Sequence, residues 1–159
     1  MSDNALDNKI AEATKVFEKD VGVWNVEMEI RPVPGASPVQ LKAVATNRRI
    51  GGGRWLIVDH RAESGFEGHG VYGWDPSTGK YTGAWVDSTQ TSITRSEGTW
   101  DAAARTMTFV TTGTHGDKPH GYREITESMA DGTRVYRNMV PMPNGGEFEM
   151  IRAVYRRKS

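Results

Sequence analysis

FEGHGVYGWDPSTGKYTGAWVDS, residues 66–88, is the stretch whose reading decides the fold. Residues 66–74 and 80–88 alternate with the period of two that belongs to strands. Asp75-Pro-Ser-Thr-Gly79 between them is turn chemistry, with an Asp oxygen to bond local amides, a proline that presets φ and a glycine that tolerates positive φ. The segment reads as an antiparallel hairpin. Glycine weakens an ordinary strand, yet Gly68, Gly70, Gly73 and Gly83 lie inside these two and Gly98 inside the next. There glycine permits sharp bending or the close approach of another group. Pairing Trp74 with Tyr81 sets Tyr72 opposite Gly83 and Trp85 opposite Gly70, rings over glycines, and a bulge at Gly79 would shift this by one. Bent strands favour a small closed barrel over the competing β-sandwich.

The alternation continues on both sides of the hairpin. In VWNVEMEIR (23–31), Trp24, Val26, Met28 and Ile30 fall on one face and Asn25, Glu27, Glu29 and Arg31 on the other, a half-buried strand. Further strands are expected at about 39–50, 54–63, 91–100, 105–113, 121–129, 133–140 and 147–157, with turn residues between them. Ten short strands without βα alternation predict an all-β fold, a single antiparallel β-barrel whose closure removes exposed edges. Ile10, Ala13, Thr14 and Phe17 stand at helical spacing, so one N-terminal helix is expected over 4–20. The domain reading is a helix and cap over residues 1–20 and the barrel over 21–159, one domain in all. The first thirty residues are acidic and the last strand is basic, complementary charges for the seam where a meander closes.

Composition narrows the function. The 159 residues carry 20 Lys and Arg against 20 Asp and Glu, and no cysteine. Balanced, scattered charge speaks against a nucleic-acid or anionic-membrane partner, and no apolar run approaches the ~18 residues of a membrane span. The start MSDNALDNKIAEA lacks the basic and apolar regions of a signal peptide, so a cytoplasmic location is expected. Without cysteine there is no disulfide, thiolate nucleophile or Cys-ligated zinc. No cofactor and no metal are expected, and a homodimer is left open.

Gly22-Val-Trp24, following a short helix, resembles the G-x-W signature of the calycin barrels, the lipocalins and fatty-acid-binding proteins. IGGGRWLIV (50–58), the 66–88 segment and SEGTWD (96–101) carry a more specific likeness, to the bacterial family catalogued as Domain of Unknown Function number 1579. That resemblance covers residues 17–157. It implies a calycin-like antiparallel barrel, and it implies no activity and no catalytic residues.

Few places suit chemistry. Trp85 and Asp87 share one strand face; facing inward, Asp87 is a ligand anchor or general base, and otherwise it caps the turn Asp87-Ser-Thr-Gln90. His60 and His69 lie on consecutive strands and with Asp87 could form an acid–base set, against the alternative of solvated or core histidines. His115 and His120 flank Gly-Asp-Lys-Pro and read as surface-loop histidines. Arg123 and Arg137 hold a carboxylate ligand if they face inward; outward, they join Glu124, Glu127 and Glu149 in cross-strand ion pairs. Gly68-His-Gly-Val-Tyr-Gly73 fits G-x-G-x-x-G, but a hairpin follows it instead of a helix, so it is no dinucleotide fingerprint.

The leading expectation is a binding module that holds a small hydrophobic molecule, aliphatic or aromatic, among Trp24, Met28, Trp55, Tyr72 and Trp85, with an Arg or Asp fixing its polar end. The second is a cofactor-free isomerase or hydrolase that uses Asp87 with His60 or His69. Haem or a metal held by one histidine ranks last. The plain structural alternative is that the rings fill the interior.

Overall fold

The chain begins with α1 (Asp3–Thr14) and passes directly into a 3-10 helix over Lys15–Asp20, in a computed structural model that describes residues 3–159. Met1 and Ser2, the start of the expected cap, lie outside the described residues. The single helix predicted over 4–20 is thus two pieces. The change comes at Thr14, whose hydroxyl donates back to the Ile10 carbonyl at 2.9 Å, a bond that competes with regular helix. The tighter turn carries Phe17 and Asp20 into the interior, where both are buried.

Ten strands follow: β1 (Gly22–Ile30), β2 (Val39–Ile50), β3 (Trp55–Ala62), β4 (Glu67–Asp75), β5 (Lys80–Asp87), β6 (Thr94–Asp101), β7 (Thr106–His115), β8 (Lys118–Ser128), β9 (Arg134–Pro141) and β10 (Glu147–Arg157). Each pairs with the next, and β10 returns to β1, closing an antiparallel barrel. Across the decisive hairpin Trp74 stands opposite Tyr81, Tyr72 opposite Gly83 and Trp85 opposite Gly70, with no bulge at Gly79. At the closing seam Arg156 pairs with Glu27 at 3.3 Å, and the Arg157 guanidinium lies 4.4 Å over the Trp24 ring.

Two segments depart from expectation. β6 starts at Thr94, because the preceding residues form a turn in which Asp87 Oδ1 accepts the Thr89 N–H at 2.8 Å. β7 runs to His115 and β8 begins at Lys118, so the segment read as a surface loop is the tip of a long hairpin. Gly116, at φ +62°, allows the two-residue turn. β9 pairs with β8 only from Arg123 onward. Residues 118–122 therefore have an open side, and there Pro119 interrupts no ladder with β9.

Two buried clusters fill part of the interior. One is Trp24, Val26, Ala43, Ala45 and Ala153; the other, Phe17, Leu56, Tyr81 and Met107, packs beneath the helical cap. The Tyr81 hydroxyl donates to the Ala13 carbonyl at 2.7 Å and ties the cap down. Among the described residues no helix is long and apolar enough to cross a membrane.

Candidate functional site

Glycine lets the wall of β4 and β5 carry large rings without filling the barrel. A Cβ on Gly68 would lie 2.1 Å from Cζ2 of Trp85, and one on Gly83 would lie 2.5 Å from Cδ1 of Tyr72. Both rings lie flat against backbone that no other residue could offer. What remains is a cavity of about 420 Å3, running from Phe17 beneath the cap to His115 and His120 at the opposite mouth.

Glu124 of β8 faces this cavity at mid-wall. Its Oε1 accepts the Tyr136 hydroxyl at 2.7 Å and its Oε2 accepts the Thr111 hydroxyl at 2.5 Å. Because Thr111 spends its proton there, the 2.9 Å contact between Ser96 and Thr111 has Ser96 as donor. Burial first, and the negative charge of Glu124 second, raise the pKa of the Tyr72, Tyr122 and Tyr136 phenols. All three phenols stay protonated at neutral pH, and that of Tyr136 donates to Glu124.

The capped end is organised around Asp20. Arg134 Nε lies 3.0 Å from its Oδ1 and Lys19 Nζ 3.1 Å from its Oδ2. The Asp20 carbonyl accepts the Trp24 indole N–H at 3.0 Å and the Asn47 amide at 2.9 Å. Arg134 also lies over the Trp24 and Tyr155 rings, 5.3 and 5.2 Å from their centres. Burial lowers the pKa of Lys19, and the Asp20 carboxylate opposes that shift.

Near the mouth, His60 is 5% exposed and packs edge-on to Phe66 and Trp85. Burial lowers its pKa, favouring the neutral ring. Asp87 lines the cavity and caps its turn at once: Oδ1 accepts the Thr89 N–H and hydroxyl, and Oδ2 accepts the Trp85 indole N–H at 2.9 Å. In the ladder, His60 stands opposite Gly68 and Gly68 opposite Asp87. The Trp85 ring covers Gly68 between them, and His60 and Asp87 are not hydrogen-bonded to each other. On the hairpin tip His115 and His120 lie 6.0 Å apart, and His120 lies 5.4 Å from Tyr122.

Of the residues singled out from sequence, Met28, His60, Tyr72, Trp85 and Asp87 line the cavity. Trp24 faces inward but is packed solid at 1% exposure. Trp55 lies on the outside, 43% exposed, its ring across Gly73. His69 is also on the outer face, where Nδ1 is 2.6 Å from Asp59 and Nε2 is 2.9 Å from Glu67. Those two hydrogen bonds raise its pKa. Arg123 pairs with Glu147 at 3.0 Å and Arg137 with Glu127 at 3.2 Å, both away from the cavity. Alternation explains it: Tyr122 and Glu124 face in, so Arg123 faces out; Tyr136 and Asn138 face in, so Arg137 faces out. Glu124, read from sequence as an outward ion-pair partner, is the interior carboxylate. Among the described residues no group of three His, Asp or Glu is arranged to hold a metal ion.

The solved structure of Rv2717c from M. tuberculosis is similar, with a TM-score of 0.64 over 94% of this chain and 99% of that one, at 15% identity. At that identity the likeness shows the fold alone. No curated protein matches the chain. A family model described as Protein of unknown function (DUF1579) matches residues 10–157, and the chain belongs to that family.

Proposed function

We propose that the protein is a binding barrel that holds one small hydrophobic or aromatic molecule in its interior. The observation that carries this reading is the cavity of about 420 Å3, within the range of about 300–1,000 Å3 typical of small-molecule sites. Its walls combine the rings of Tyr72, Trp85 and Phe109 with a few convergent polar groups. Phe17 and the cap block one end, so a guest enters past the β7–β8 hairpin. Catalysis by His60 and Asp87 is the weaker reading, since Trp85 separates them and both Asp87 oxygens are engaged.

The test uses N-phenyl-1-naphthylamine, a neutral dye that brightens in apolar surroundings. Thr126 lines the cavity, so Thr126→Phe fills part of it. Saturable dye binding to the wild type, lost in a folded Thr126→Phe variant, supports interior binding. Equal binding by both places the dye outside the barrel and contradicts it.

A further inference from the structure

The cavity wall carries three carboxylates, Asp20, Asp87 and Glu124, and two cations besides the histidines, Lys19 and Arg134. Both cations are engaged by Asp20. Asp87 is closed off by its own turn and by the Trp85 indole. Glu124 makes no ion pair among the described residues, and its firm partners are the neutral hydroxyls of Tyr136 and Thr111. Ser96 stands 3.4 Å away, with its proton directed to Thr111. A carboxylate has about four acceptor positions, so two good donors leave it capacity on the cavity side. Hydroxyl donors satisfy direction without neutralising charge, and an enclosed charge without a counter-charge is costly.

The surroundings favour a positive guest further. The Tyr72, Tyr122 and Tyr136 rings line the same space, and aromatic faces attract cations. The remaining titratable groups facing the cavity are Tyr155, His60, His115 and His120; burial holds both the Tyr155 phenol and the His60 ring toward their neutral forms. Arg123 and Arg137, the arginines that would have anchored an anion, point away.

We infer that Glu124 is the anchor for a cationic head, an organic ammonium or amidinium carried on an aromatic or apolar body. The head's N–H donates to the carboxylate, and the body lies against Tyr72, Trp85 and Phe109. This inference rests on the cavity being the binding site.

Three naphthalenes of nearly equal shape separate the two claims: 2-naphthylmethylammonium, 2-naphthylmethanol and 2-naphthoate, titrated calorimetrically at neutral pH. The ammonium should bind about tenfold to a hundredfold more tightly than the alcohol, the range for a hydrogen bond to a charged group, and the carboxylate should bind most weakly. Glu124→Gln should bring the ammonium down to the affinity of the alcohol and leave the alcohol unchanged, which also certifies that the variant is folded. Ammonium and alcohol bound equally by the wild type, or naphthoate bound best, overturns the inference while interior binding stands. An ammonium preference that survives in Glu124→Gln overturns it too. If none of the three binds or displaces the neutral dye, the inference fails; if the dye itself does not bind either, the binding-barrel reading fails with it.

Discussion

Two carboxylates enclosed by the same barrel are treated in opposite ways. Asp20, under the cap, has Arg134 and Lys19 as ion-pair partners and two side-chain donors on its backbone carbonyl. Glu124, at mid-wall, has hydroxyls only. The capped end supplies its own counter-charge and so reads as structure that holds helix, β1, β2 and β9 together. The mid-wall leaves its charge uncompensated beside open volume, which is the arrangement of a site.

Removing the partners should expose that contrast, most strongly at the capped end. Replacing both partners, Arg134→Met together with Lys19→Met, strands Asp20 as an unpaired charge in a nearly closed environment, with a loss of about 3–5 kcal/mol of folding stability expected, measured by urea denaturation. A loss below about 1 kcal/mol would mean the pair is not structural. Gly68→Ala places a Cβ where the Trp85 ring lies, an overpacking that should cost about 1–3 kcal/mol and shift Trp fluorescence. Glu124→Gln should change stability by less than about 1 kcal/mol, because no partner charge is left behind. A large destabilisation there would make Glu124 structural, like Asp20.

The histidines give the smallest effect. His60 has its pKa lowered by burial, so the unfolded imidazole, near 6.5, takes its proton first as pH falls. Its stabilisation is present above that value and is lost as pH drops toward the folded one. His69 is the reverse: Asp59 and Glu67 raise its pKa, so its contribution is full below about 6.5 and fades as pH rises through the folded value. Ring-proton NMR should find the His60 midpoint below that of His69; coincident midpoints would contradict both placements.

The barrel was legible because its signals are local. Turn residues, a period of two and rings set opposite glycines at 70 and 83 specify the hairpin register without knowledge of the rest. The site was only half legible. Trp85 and Asp87 could be placed on one face, but which face pointed inward in the last strands could not be read. The cause is in β10, where the register shifts between Glu149 and Ile151, and neighbouring Met150 and Ile151 both line the cavity. Parity counting fails across such an irregularity. Glu124 did leave a signal: Arg123 and Glu124 are adjacent in a strand, so one of the two charges must face inward.

The account rests on a guest inside the barrel, and methionine methyl groups report on that directly. Met28, Met107 and Met150 line the cavity, whereas Met129 and Met142 do not. With methyl-labelled methionine and the neutral naphthylamine dye, saturable shifts confined to Met28, Met107 and Met150 are predicted. Shifts at Met129 or Met142 with the cavity methyls unmoved would place the guest on the surface and contradict the account.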